Sequence, residues 1–219
     1  MKVLNSMAAI VLIAGLGAAA AASASVVTMD ARYYGGGATF TDSASYVNEW
    51  NTVIAAQPVA SAGYGDQTIA DWNGGQHNSG VFGANTNIAY HDKVVFDVTT
   101  AGTWSFKMGV DFGYGGTLLV DGQALQTQTK DLWWAGNIND PANTLSGSTT
   151  LSTGWHTLNV YGFEGCCDGG TTGQYLSPGA ASYTSFTSAP EPASWSLMII
   201  GLGAAGGALR RRAAKGAVA

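Results

Sequence analysis

Gly102-Thr103-Trp104-Ser105-Phe106-Lys107-Met108-Gly109-Val110 is the stretch from which the fold is read. Trp104, Phe106, Met108 and Val110 alternate with Ser105, Lys107 and Gly109. A period of two puts the large apolar side chains on one face and the small or charged ones on the other, as in a half-buried strand. The same pattern continues outward. Val94, Val95, Phe96 and Val98 form an apolar run that ends at the turn Thr100-Ala101-Gly102. Residues 113–116 interrupt the pattern and residues 117–120 resume it. Asp121-Gly122 then signals a hairpin, because both central positions of its turn need positive φ. Residues 149–151 and 155–163 supply further strands, residues 183–186 a last one, and residues 26–34 a first, closed by Gly35-Gly36-Gly37. Strands separated by Gly and Asp turns predict an antiparallel β-sandwich. There is no internal repeat.

One helix interrupts the strands. Thr41 or Asp42 can cap it, Tyr46, Val47, Trp50, Val53 and Ile54 recur at helical spacing, and Pro58 follows its end. Residues 61–87 are polar and contain Gly74-Gly75, and read as loop.

Both ends read as targeting segments. Lys2 precedes an uncharged apolar stretch, residues 7–22, and Ala22-Ser23-Ala24 supplies the small-x-small pattern cut by signal peptidase. Cleavage between Ala24 and Ser25 is expected, after passage through the Sec translocon. At the other end, Pro190-Glu191-Pro192 precedes an uncharged stretch of 17 residues, 193–209, closed by Arg210-Arg211-Arg212. As a helix that stretch spans roughly 25 Å, at the short end for a bilayer core. The arginines hold its end in the cytoplasm by the positive-inside rule, leaving residues 25–189 outside the inner membrane.

Pro-Glu-Pro, a short Gly-rich apolar segment and an Arg cluster, in that order, resemble the PEP-CTERM sorting tail of Gram-negative bacteria. The resemblance implies recognition by an exosortase, a membrane protease, transient anchoring in the inner membrane, and delivery to the cell surface or beyond, in the setting of exopolysaccharide and biofilm. It makes Pro190, Glu191, Pro192 and Arg210 to Arg212 sorting residues, with the chemistry belonging to the exosortase.

The exported part is acidic. Residues 25–189 hold thirteen Asp and Glu against four basic residues, Arg32, Lys93, Lys107 and Lys130, a net of −9 compared with −5 for the whole chain. Such a surface does not bind nucleic acid electrostatically.

A second resemblance covers residues 93–186. Gly102 to Phe106, Asp111-Phe112-Gly113, Leu118-Leu119-Val120-Asp121-Gly122 and Gly154-Trp155-His156-Thr157-Leu158 are similar to the core of protective-antigen-like β-sandwiches. That group implies carbohydrate binding, in some members through calcium held by two consecutive Asp. Here Asp111 is followed by Phe112, so calcium remains an implied option with no metal ligands assigned. Asp111 also reads as a turn residue before Gly113.

The two cysteines are adjacent, in Gly165-Cys166-Cys167-Asp168-Gly169-Gly170. Outside the cytoplasm a disulfide is the default. Neighbouring Cα atoms lie about 3.8 Å apart across a trans peptide, and ordinary disulfides span about 4.4 to 6.8 Å. A bond between Cys166 and Cys167 would therefore close a tight ring, stiffening a loop without stapling distant elements, and flanking glycines tolerate the torsions involved. Reduced thiols, an intermolecular bond, or metal binding with His156 and Asp168 are the alternatives; the Cys-x-x-Cys redox spacing is absent. The Phe163 to Gly169 run resembles the CCXG subgroup of PEP-CTERM proteins, a group defined by the motif.

Motifs for catalysis are missing. His77, His91 and His156 accompany no Gly-x-Ser-x-Gly elbow and no zinc-binding His-Glu-x-x-His, and the Gly-rich runs lack the Lys-Ser/Thr of a phosphate loop. Of six tryptophans upstream of the tail, Trp50, Trp104 and Trp155 fit periodic patterns and are expected in the core. Trp133-Trp134 lies in a loop-like region, where exposed aromatic rings stack against sugar faces.

The sequence thus predicts a mainly β protein, an antiparallel β-sandwich with one short helix, flanked by an N-terminal signal helix and a C-terminal transmembrane helix. The segments are residues 1–24 (signal), 25–188 (exported domain), 189–212 (sorting tail) and 213–219 (cytoplasmic end). The expected function is non-enzymatic binding of polysaccharide, with Trp133, Trp134, Asp111, Asp168 and the Cys166-Cys167 loop as ligand candidates. The alternatives are a self-associating matrix component without a defined ligand and a glycan-active hydrolase.

Overall fold

The computed structural model describes residues 25–188. The signal segment with Ala24, and the sorting segment with Pro190, Glu191, Pro192, Arg210, Arg211 and Arg212, lie outside the described residues. Among the described residues no helix is long and apolar enough to cross a membrane.

The chain runs β1 (Ser25–Tyr33), α1 (Ser43–Ala56), β2 (Asp66–Ile69), α2 (Asn78–Val81), β3 (Thr86–Val98), β4 (Gly102–Gly109), β5 (Asp111–Phe112), β6 (Gly116–Val120), β7 (Gln123–Gln128), β8 (Leu132–Trp133), β9 (Thr144–Leu151), β10 (Gly154–Cys166), β11 (Thr172–Leu176) and β12 (Thr184–Ser185). One sheet has the order β2-β1-β3-β10-β6-β7, a second β12-β11-β4-β9, and β5 pairs with β8 alone. The pairings are antiparallel.

The two larger sheets share one core, so the expected sandwich is present. Trp104, Phe106 and Met108 of β4 are buried against Val27 and Met29 of β1, Val94 and Phe96 of β3, and Leu158 and Val160 of β10. Phe96 contacts Trp104, Phe106 and Phe186, joining the sheets through aromatic edges. The period-two reading of β4 thus identifies its buried face. The Asp121-Gly122 turn joins β6 to β7 with φ of 49° and 78°, the paired positive values of a type I′ hairpin.

Helix α1 covers the opposite face of the six-stranded sheet. Asp42 is its N-cap, accepting from the Ser45 amide (2.9 Å). Tyr46, Trp50 and Val53 are buried with Tyr34, Ala89 and Phe163.

Several expectations need correction. A second, one-turn helix, α2, and strand β2 occupy residues expected to be loop. The turn is held by tertiary bonds, Asn78 Nδ2 donating to the carbonyls of Gly63 (3.0 Å) and Ala84 (2.7 Å). Strand β7 and much of β9 occupy a segment expected to be polar connection, because their Gln, Thr and Ser side chains suit partly exposed strands as well as loops. Trp155 is not core; it is 64% exposed. The parity of β10 explains this: Leu158 and Val160 point inward, so Trp155 shares the outer face with Asn159 and Tyr161.

Candidate functional site

The short β5–β8 ladder positions the site. Asp111 pairs with Trp133, and Phe112 with Leu132. Phe112 and Leu132 are fully buried in the core. Residues directly opposite on antiparallel strands share a face, so Asp111 and Trp133 project together on the other side. Trp134 turns back from Trp133, is buried, donates from Nε1 to the Gly169 carbonyl (3.3 Å), and packs over Gly109. The tryptophan pair is therefore split. Trp133, 62% exposed, is available to a ligand, whereas Trp134 is a support.

Strand β10 brings the remaining wall. Glu164, almost fully buried, accepts from the Gly113 amide at Oε2 (2.5 Å) and from the Cys166 amide at Oε1 (2.6 Å). The strand ends at Cys166, which is bonded to Cys167 across a cis peptide. The pair is an intramolecular vicinal disulfide, and there are no free thiols. Asp168 follows and is buried. It accepts from Tyr90 Oη (2.6 Å), the Gly170 amide (3.0 Å) and the Ser79 amide (2.9 Å), while its own amide is held by Asn85. A carboxylate with three donors is an anchor for the cysteine turn, a different role from the ligand contact expected of it.

These pieces enclose an open cavity of about 450 Å³. Asp111, Trp133, Cys166 and Cys167 line it, so four of the six ligand and disulfide candidates converge. Asp131, Glu164, Gly113 and Gly169 complete the lining. The sequence reading missed Asp131 and Glu164. Only their closeness in sequence to Trp133 and Cys166 pointed to them.

The electrostatics are one-sided. Burial, then the nearby Glu164 charge, pushes the Asp111 carboxyl up to about 6, against a partial offset from the Gly169 amide. Burial also raises Glu164, with the Gly113 and Cys166 amides pulling the other way. His156, an alternative metal partner for the cysteines, bonds Asp121 Oδ2 (2.6 Å) and the Ser152 carbonyl (2.9 Å) beside the β6–β7 turn. Among the described residues no group of three or more His, Cys, Asp or Glu is placed to hold a metal ion.

Residues 188–212 match the PEP-CTERM protein-sorting motif. That motif marks a chain for export and for sorting by an exosortase at the membrane. No curated protein matches the chain. Solved structures that align include a PA14 sugar-binding domain from an RTX adhesin, at 18% identity and TM-score 0.46, covering 74% of this chain and 95% of that one. The PA14 domain of the antifreeze protein MpAFP aligns at 12% identity and TM-score 0.46, covering 74% and 86%. The epithelial adhesin 9 A domain from Candida glabrata, in complex with Galb1-3GlcNAc, aligns at 8% identity and TM-score 0.43, covering 73% and 84%.

Proposed function

We propose that this is a cell-surface or extracellular-matrix protein whose sandwich binds carbohydrate, its own cell's exopolysaccharide being the natural candidate, without catalysis. The observation that carries the reading is the Asp111–Trp133 pair at the mouth of a concave, open cavity. An exposed indole offers a sugar ring an apolar face, and a carboxylate beside it accepts from the ring hydroxyls. The Cys166-Cys167 turn forms a stiff opposite wall.

The three carboxyls of the cavity, Asp111, Asp131 and Glu164, also raise a hydrolase reading, since glycosidases work with carboxyl pairs. Glu164 is not placed to be the acid of such a pair. Both of its oxygens accept from backbone amides, and it is only 2% exposed. A general acid must reach the leaving oxygen. Self-association is favoured by a different feature, Trp155 on the outer sheet face, far along β10 from the cavity.

A glycan array with the full chain tests the leading reading. Binding to particular glycans, lost in Trp133→Ala and kept in Trp155→Ala, is the expected result. An empty array together with concentration-dependent assembly that Trp155→Ala abolishes would replace it with the matrix reading; sugar release from polysaccharide would replace it with the hydrolase.

A further inference from the structure

We infer that the cavity selects sugars carrying a protonated amine over neutral and uronic acid sugars, an inference that rests on the carbohydrate reading above. Among the described residues three acidic ones line the cavity, Asp111, Asp131 and Glu164, and no Lys, Arg or His does. They differ in what they already hold. Glu164 has two amide donors, and Asp168 behind the wall has three donors. Asp111 is more than nine-tenths buried, and among the described residues no side chain donates to it and the Gly169 amide alone favours its charge. Of the two buried acids in the lining it is the acceptor with capacity to spare, and it lines the cavity beside Trp133.

A neutral sugar can donate hydroxyls to Asp111 but leaves the mutual repulsion of the carboxylates in place. An ammonium group donates up to three hydrogen bonds and offsets that repulsion as well. The Trp133 face adds attraction for a cation placed over it. A uronate would bring a further negative charge into a concave acidic site, where low dielectric makes like charges costly. The order of preference that follows is amino sugar, then neutral sugar, then uronic acid.

The test is titration of the full chain, in detergent and with a chelator present, using glucosamine oligosaccharides, their N-acetylated counterparts and oligogalacturonate. The amine form is expected to bind about tenfold tighter than the acetylated form, a difference of about 1.4 kcal/mol. Asp111→Asn and Asp131→Asn are each expected to shrink that ratio. Asp131 is exposed, so its variant also separates lost charge from lost fold. Asp42→Asn, at the N-cap of α1 and outside the cavity lining, is expected to leave the ratio unchanged; an equal loss there would show attraction by overall charge and overturn the inference. Equal or tighter binding of the acetylated form, or preference for the uronate, overturns the amine assignment and leaves the carbohydrate reading intact. No binding of the three sugars, alongside an empty glycan array, overturns both.

Discussion

The Asp92→Asn substitution is expected to change how the stability of the protein depends on pH. Asp92 sits on the inward face of β3 between Tyr90 and Val94, with no exposed surface. Neither carboxylate oxygen meets a donor in hydrogen-bonding geometry. Burial raises the group from 3.8 to about 7, the Thr171 hydroxyl favouring the charged form and Asp30 and Asp168 opposing it. The folded protein therefore holds this proton to a higher pH than the unfolded chain does. Stability is fully present below the ordinary carboxyl value, falls as pH rises from there, and levels off once the folded group ionises near 7. Each unit of difference is worth about 1.4 kcal/mol, so the loss across the window is about 4 kcal/mol as an upper bound. The amide in the variant cannot ionise. Whatever fixed cost it brings cancels when the variant is compared with itself at two pH values. The assay is urea unfolding of both proteins at about pH 5 and about pH 8. Wild type is expected to lose about 2–3 kcal/mol more than the variant between them, the part of the window above pH 5. Parallel changes would refute the reasoning, because they would mean that Asp92 titrates alike in folded and unfolded chains.

Gly162→Ala is expected to cost about 1–3 kcal/mol or more, since an added Cβ on this central strand would lie 2.0 Å from Phe112 Cδ2, and overpacking a core is destabilising. A wild-type denaturation midpoint would count against it. Tyr46→Phe removes the hydroxyl that donates to the carbonyls of Tyr114 (2.8 Å) and Gln128 (3.0 Å), with an expected loss of about 1–2 kcal/mol in the same measurement. For the cysteines, alkylation of the unfolded, unreduced chain is expected to label neither Cys166 nor Cys167, and reduction to expose both. Mass spectrometry of the digested protein reads the result, and labelled thiols before reduction, or a cross-linked dimer, would contradict the pairing.

How much was legible follows from which forces set each element. The alternation in β4 and the Asp121-Gly122 turn were readable because burial of one face and positive φ are local demands with residue signatures. The same parity rule, applied with the wrong phase, misplaced Trp155. Nothing within residues 154–163 says which alternate set faces inward until Leu158 and Val160 are weighed together. Strands β7 and β11 escaped because partners in the sheet, and not their own composition, make them strands. At the site, Asp111, Trp133 and the cysteines were individually visible as unusual residues. Their convergence was not, since it depends on pairing β5 with β8 and on the reach of β10 past both. Glu164 was hidden for another reason. A Glu in a strand reads as a surface charge unless the amides that receive it, Gly113 and Cys166, are already placed.

The topology also separates the cavity from the point where the described chain begins and ends. Ser25 Oγ donates to the Thr187 carbonyl, and the Val27 amide donates to Ser188 Oγ (3.1 Å). The sorting motif begins at residue 188, so the chain leaves for the tail beside the start of β1. Ser25 is level with Phe96 on β3, and Glu164 of the cavity is level with Ile88. Eight residues of strand separate the two levels, about 26 Å at the usual rise. Both exits therefore lie toward one end of the sheet and the acidic cavity toward the other. A domain tethered through residue 188 can turn its cavity away from the attachment, so access to a large polymer does not have to wait for the tail to be removed. What the tether would restrict is the exit end, where Val26, 45% exposed, and the 64% exposed Trp155 lie on the outer sheet face. Release from the membrane would thus uncover that exit-end surface while leaving the acidic cavity as it was. The binding and matrix readings are in that sense properties of opposite ends of one sandwich.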